Sequence, residues 1–311
     1  MIEHTDSIHK TVLLNETIEG LNLPASPLSS LGGSKDEESI IIDGTFGGGG
    51  HSIEVLKRYP KAKIIAIDQD KAVFRKAKEK FKGLEKRISF VNINFKNIDD
   101  LVNLDSVDGI ILDLGLSSDQ LENSGRGFSF MKDEILLMTM KENPLPEDLT
   151  ARDIVNNWGE KNIADIIYGY GEEKFSRSIA KQIVEARKKK EINTTFDLIN
   201  IIERAVPNGH KKGKIHFATK TFQALRIAVN DELNVLRNGL EKCFKFLKNG
   251  GRMSVISFHS LEDRIVKNFY RDMQKNGEAK IINKKVITAT IVEIKSNSRS
   301  RSAKLRVIEK I

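Results

Sequence analysis

Between residues 40 and 113 the chain repeats one figure: a short aliphatic, mostly β-branched run ending on an acid, then a loop or helical stretch. Ile40-Ile41-Ile42 ends on Asp43, Lys63 to Ile67 on Asp68, and Gly109 to Leu112 on Asp113, with a further run from Ile88 to Ile93. Continuous apolar strands separated by helices of about 10–15 residues indicate a parallel sheet covered on both faces. Strand patterning returns at Arg252–Ser257 and Lys304–Ile308, whereas 117–215 carries helical runs such as 175–187 and 195–206 and no convincing β run. The expected fold is therefore α/β, a Rossmann-like core split by an inserted all-helical domain. Its parts are core over 1–116, insertion over 117–215 and core again over 216–311.

Two helices are expected inside this frame. Residues 71–82 form a strongly basic one, and a longer pattern runs through Phe222, Leu225, Val229, Leu233, Leu236, Leu240, Phe244 and Leu247. Its steps of three and four place one stripe against the sheet. Cys243 lies beside that stripe and reads as core filler. Residues 22–39, rich in Pro, Gly and Ser, read as a loop.

Composition narrows the function classes. The 311 residues are 39% hydrophobic and 30% charged, which fits a chain able to bury a sizeable core. One cysteine forbids an internal disulfide and points to a reducing, cytoplasmic setting. Six scattered histidines and that cysteine offer no metal-ligand spacing, so no metal is expected. No apolar run approaches the roughly 20 residues of a membrane span.

Ligands of doubly wound folds bind beyond the carboxyl ends of the strands. After Asp43 comes Gly44-Thr45-Phe46-Gly47-Gly48-Gly49-Gly50-His51-Ser52, a turn that exposes amides at a helix start. Counted from Gly47, the dinucleotide pattern G-x-G-x-x-G fails at Ser52. Asp68, 18 residues after Gly50, is placed to accept hydrogen bonds from the two ribose hydroxyls of a nucleoside. A nucleoside without a diphosphate suits these features better than NAD, and S-adenosylmethionine is the commonest such cofactor. Asp70 reads as an exposed acid at a helix start.

Asp113-Leu114-Gly115-Leu116-Ser117-Ser118, at the fourth strand end, is where a methyl acceptor would lie. Asp113 either accepts a hydrogen bond from an acceptor amine or orders the glycine turn; both readings stand. Methylation at cytosine C5 needs a cysteine nucleophile, and Cys243 looks structural. In Ser257-Phe258-His259-Ser260-Leu261-Glu262-Asp263, Ser260 and Asp263 resemble a capping box, and His259 is a candidate substrate contact.

The formal charge of +8 is clustered. Residues 71–87 hold eight Lys/Arg against two acids, and 284–311 hold eight against two. Within the latter, Arg299 and Arg301 lie in a Ser/Arg stretch suited to phosphate contacts. Lys211, Lys212 and Lys214 form a basic loop with Gly209 and Gly213. Together the clusters favour a nucleic-acid substrate. Aromatics, at 6%, do not suggest a single-strand stacking platform.

Taken together, the motifs resemble those of the bacterial 16S rRNA (cytosine-N4)-methyltransferases, the RsmH or MraW family. The matching runs are His9 to Leu14, IIDGTFGGGGHS (41–52), IIAIDQD (64–70) and DGIILDLGLSSDQLENSGRGFSF (108–130). They continue through YGEEKFSRSIA (from Tyr170), TKTFQALRIAVNDEL (219–233), GGRMSVISFHSLEDRIVKNF (250–269) and RSAKLRV (301–307). The resemblance implies a class I S-adenosylmethionine-dependent methyltransferase core whose substrate is the P-site cytidine of 16S rRNA in the small ribosomal subunit. It also implies cofactor contacts from Gly49, Gly50, His51, Asp68, Phe95, Asp113 and Gln120, with Phe95 against the adenine. Ser117, His259, Arg299 and Arg301 are the substrate-binding candidates and Asp113 the catalytic one. The family's L-D-M-R-M-D run is Leu136-Leu137-Met138-Thr139-Met140-Lys141 here, its H-P-A-T-R is His216 to Lys220, and its N-P-R is Asn297-Ser298-Arg299. A methyltransferase for another RNA or a protein, or an RNA-binding assembly factor with a retained cofactor pocket, fits the same residues. Both monomer and homodimer are compatible with the sequence.

Overall fold

The computed structural model describes residues 10–23, 38–101, 107–211, 213 and 215–311. His9, most of the 22–39 loop, Lys212 and Lys214 fall outside the described residues. The chain divides into two compact units, one of 1–116 with 233–311 and one of 117–232.

The first unit runs α1 (Leu14–Gly20), β1 (Ile40–Asp43), α2 (Gly50–Arg58), β2 (Lys63–Ile67), α3 (Lys71–Ala77), β3 (Ile88–Val91) and β4 (Val107–Asp113). In the second, α4 (Ser118–Asn123), α5 (Ala151–Asn157), α6 (Glu160–Gly171), α7 (Ser176–Arg187), α8 (Thr195–Ala205), α9 (Asn208–Lys211) and α10 (Thr219–Asn230) follow. The first unit resumes with α11 (Glu232–Phe246, whose first residue closes the helical unit), β5 (Leu247–Ser257), α12 (Ser260–Lys275), β6 (Ala279–Ile281), β7 (Ile287–Thr288), α13 (Ile291–Ser296) and β8 (Lys304–Lys310).

The sheet order is β3-β2-β1-β4-β5-β8-β6, with β7 beside β8. From β3 to β5 all neighbours are parallel, and β8 then pairs antiparallel with β5, β6 and β7. The sheet is therefore mixed rather than wholly parallel, and its architecture is the Rossmann-like α/β core of class I methyltransferases. The period of two explains the apolar strands: Ile41 and Ile111 pack with α2 and α3 residues on one face. Ile42, Ile110 and Leu112 pack with Leu236, Leu240 and Phe244 of α11 on the other. Each face has its own helices, so the central strands β1 and β4 are largely buried on both.

The basic helix is shorter than its pattern suggested, ending at Ala77 and followed by a single 3-10 turn at Glu79–Phe81. The long pattern from Phe222 to Leu247 is two helices, not one stripe. Asp231 takes a left-handed backbone (φ 49°) between them, which a short polar side chain tolerates better than most. α10 packs on α6 within the helical unit, and only α11 covers the sheet. The helical unit consequently runs to Glu232, beyond the boundary expected at 215.

Capping boxes start α4 (Ser117 with Gln120), α5 (Thr150 with Asp153) and α8 (Thr194 with Asp197). The divergent segment 136–141 buries Leu136, Met138, Thr139 and Met140. Asn230 holds its backbone, donating to the Met138 carbonyl (2.8 Å) and accepting the Met140 amide (2.8 Å). Lys141, where the family has an acid, pairs with Asp148.

Candidate active site

The chain switches direction across the sheet between β1 and β4, and the crevice beyond such a switch point is where ligands of this fold bind. The glycine turn is stitched to its neighbours. Gly44 N–H donates to the Ile111 carbonyl (2.9 Å) and Phe46 N–H to that of Ile67 (2.9 Å), while the Asp113 amide donates to Thr45 Oγ1 (2.6 Å). Asp43, 2% exposed, accepts the Ser52 hydroxyl (2.6 Å) and the Thr45 amide (3.4 Å). Burial pushes its pKa up to about 6, against the pull of those two bonds. Asp43 is thus the acid that orders the turn. Gly49 is left-handed (φ 65°), and a Cβ there would stand 2.6 Å from the Phe46 ring and 2.9 Å from that of Phe81.

Asp68, directly after β2, accepts the Gly47 amide on Oδ2 (2.9 Å) and the Asp70 amide on Oδ1 (2.9 Å). Burial pushes its pKa up to about 6, and these amides oppose the rise. A carboxylate oxygen accepts more than one hydrogen bond, so two acceptor positions remain beside the turn. Asp70 is not exposed: at 1% it is the buried cap of α3, accepting the Ala72 amide (3.0 Å).

Asp113 ends β4. Its Oδ2 lies 3.8 Å from His51 Nδ1, and its buried Oδ1 has no hydrogen-bond partner among the described residues, although 25% of the side chain meets solvent. Burial first, then the charges of Asp43 and Glu262, push its pKa up to about 8. These causes favour its protonated form. His51 Nε2 donates to the Val12 carbonyl (3.2 Å), an assignment that leaves Nδ1 toward Asp113.

Val12 belongs to a short segment held from two sides. The Leu13 amide donates to Glu293 Oε1 (2.8 Å), and Asn297 Nδ2 donates to the Lys10 carbonyl (2.8 Å). Thr11 packs against Gly50, whose Cβ would lie 1.7 Å from the threonine hydroxyl. Phe95 is half-buried, with its ring over Gly239 of α11, where a Cβ would come within 2.2 Å of it.

Other candidates sit in structural roles. Ser117 caps α4, its hydroxyl accepting the Gln120 amide (3.2 Å), and Gln120 Oε1 accepts the Ser117 amide (3.0 Å). Gln120 is in the helical unit, 6% exposed. His259, rather than Ser260, caps α12: its Nδ1 accepts the Glu262 amide (3.4 Å) and its Nε2 lies 3.2 Å from Glu262 Oε1. Asp263 instead binds Arg306 (2.7 Å) and Lys304 (3.4 Å). Although burial acts the other way, those cations hold its carboxyl below the usual range. Arg299 is half-buried and Arg301 exposed, on a 3-10 turn over Ser298–Ser302. In the 71–87 cluster Arg87 donates to the carbonyls of Ala62, Leu56 and Tyr59, a structural use of charge. Thr45, Ser52 and Glu262 were not singled out in the sequence; the first two stand inside the glycine motif, which is the signal that marks them. Cys243 is fully buried and its thiol is pushed up to about 12, as suits core filler.

Comparisons with known proteins show the family. Residues 6–311 match the model of the MraW methylase family. Ribosomal RNA small subunit methyltransferase H of Clostridium botulinum (strain 657 / Type Ba4) is 44% identical over 322 residues, covering 97% of this chain and 99% of that protein. The protein of the same name from Sulfurihydrogenibium sp. (strain YO3AOP1) is 44% identical over 315 residues, covering both chains fully. Among solved structures, an rRNA methylase from Streptococcus thermophilus aligns with a TM-score of 0.45 at 11% identity, over 97% of this chain and 98% of that one. The chain belongs to the MraW methylase family and is an S-adenosylmethionine-dependent methyltransferase.

Proposed function

We propose that this enzyme methylates small-subunit ribosomal RNA, and specifically the exocyclic N4 of a P-site cytidine in 16S rRNA, in the cytoplasm. The names of its relatives support the substrate class, and the motif resemblance supports the atom. The observation that carries the chemistry is the buried Oδ1 of Asp113 at the switch point, without a hydrogen-bond partner among the described residues.

The residues present fit the cofactor. Asp68 keeps acceptor positions for a ribose and Phe95 offers a half-buried ring to an adenine; Gly49 and Gly50, whose Cβ positions Phe46, Phe81 and Thr11 fill, join the set on the motif resemblance. His51 and Gln120 complete the proposed set. S-adenosylmethionine, when bound, supplies an electrophilic methyl group on a cationic sulfur. The chain itself must position an amine whose lone pair is delocalised into the cytosine ring. Asp113 accepts a hydrogen bond from that amine, draws the lone pair back onto nitrogen and takes the proton the nitrogen sheds once methylated, all of which requires the carboxylate form. Burial, then Asp43 and Glu262, oppose that form, and a bound cation near Asp113 would favour it. In-line placement supplies the remaining rate, since a direct displacement needs no covalent intermediate. Ser117, His259, Arg299 and Arg301 are the proposed substrate side, with the two arginines on phosphate.

The test is labelled methyl transfer to small subunits from a strain lacking this gene, followed by nucleoside analysis. The expected product is N4-methylated cytidine. Label in another nucleoside, or in protein, would overturn the reading. Asp68→Ala should abolish cofactor binding in calorimetry, and Asp113→Ala should strongly reduce turnover in a folded protein.

A further inference from the structure

The helical unit contains a run of rings outside the proposed methyl-transfer set. Phe222, 4% exposed on α10, meets Phe130 edge to face, with centroids 5.6 Å apart and an interplanar angle of 84°. Phe130 lies nearly parallel to the His216 imidazole, at 4.5 Å and 11°. His216 in turn is 4.2 Å from Phe217, tilted by 30°. Exposure peaks within the series: Phe222 is buried, Phe130 half-buried, His216 exposed and the terminal Phe217 half-buried.

His216 Nδ1 accepts the Ala218 amide (3.3 Å), which assigns the ring proton to Nε2. Loss of hydration pushes its pKa below the ordinary histidine value, against the charge of Glu203. At physiological pH the ring is therefore a flat, neutral π-surface. Core packing accounts for Phe222. It does not account for an exposed imidazole ordered between two half-buried rings, because burial is what would repay the ordering of those rings.

The sequence around the ladder is rich in cations, although Lys211 pairs with Glu203 and Arg226 with Glu232. From Arg204 through Asn230 there are six Lys/Arg, two His and no Asp or Glu. Exposed planar rings among cations are the elements that hold single-stranded nucleic acid: bases stack on the rings, and lysines and arginines track the phosphates. The low overall aromatic content argued against such a platform, but the rings are concentrated rather than spread.

We propose that Phe130, His216 and Phe217 form a stacking platform in the helical unit for an unpaired base of the RNA substrate. The proposal rests on the RNA reading above and adds a second contact to it.

Kinetics with small subunits lacking the modification test it. His216→Leu and Phe217→Leu should each raise KM for subunits about 5- to 100-fold. Turnover at saturation and cofactor affinity should stay within twofold. His216→Phe, which keeps a flat ring, should retain the parental KM. A His216→Leu enzyme with unchanged KM would overturn the platform, and so would a His216→Phe enzyme as impaired as His216→Leu. Binding of a fluorescent single-stranded RNA decamer by the same variants reads the platform separately from the reaction. Weakened binding by the leucine variants, with no transfer by the parent enzyme, would fault the substrate assignment alone; equal binding by all variants would fault the platform.

Discussion

Asp113 is a buried acid set against its own ionisation, and this has a consequence for stability. Its folded pKa, pushed up to about 8 from an ordinary 3.8, means that the folded chain keeps a proton the unfolded chain releases. Stability must therefore fall as pH rises from about 4 to about 8. Asp43 and Asp68, both pushed to about 6, share the lower part of that window, and of these three only Asp113 titrates above it. Asp113→Asn should remove the upper part of the slope and raise stability at pH 9 by about 2–4 kcal/mol. That is less than the full ~1.4 kcal/mol per pKa unit, because a quarter of the side chain meets water. Urea unfolding between pH 6 and 9 measures it, and superimposable slopes for the two proteins would refute it. The place of Asp113 was legible in the sequence, since an acid at the end of an aliphatic run marks a strand terminus. Its proton was not, because the causes are burial, Asp43 and Glu262, and only the fold brings those together. The cap of α12 is His259 rather than the expected Ser260 for a local reason: histidine is an unusual cap, and serine beside it is a common one.

Periodicity carried most of the elements. It also ran unbroken through Asp231, because the left-handed residue that separates α10 from α11 is neither glycine nor proline. Two faces with one spacing were read as one helix, and the helical unit was ended too early. Phe95 shows the opposite case, in which only the family resemblance gave the residue a role. Its contact with α11 makes that role testable at the level of the element. An alanine at Gly239 would gain about 1 kcal/mol of helix propensity, yet its Cβ would fall 2.2 Å from the Phe95 ring, so the ring must move. Gly239→Ala should lower cofactor affinity about tenfold in calorimetry, within the usual cost of overpacking, with helix content unchanged. Undiminished affinity would take Phe95 out of the cofactor site.

Across the whole molecule the excess charge is divided between structure and surface. Lys304 and Arg306 are held by Asp263, Arg87 by three carbonyls and Lys310 by two, whereas Arg301 stands exposed. Arg301→Ala should weaken RNA binding and reduce the slope of log affinity against log salt by about one. An unchanged slope would mean that Arg301 touches no phosphate. The two-unit plan was legible because the β rhythm stops after Asp113 and returns at Arg252. The closure of the first unit was not, since it depends on residues almost 300 positions apart. The Leu13 amide is held by Glu293 and the Lys10 carbonyl by Asn297, and the Val12 carbonyl between them orients His51 beside Asp113. During synthesis the glycine turn and its three acids emerge early, but the brace behind His51 is among the last parts to arrive. The enzyme is thus assembled around its site in reverse, and a chain interrupted before residue 293 lacks the final clasp however well its sheet has formed.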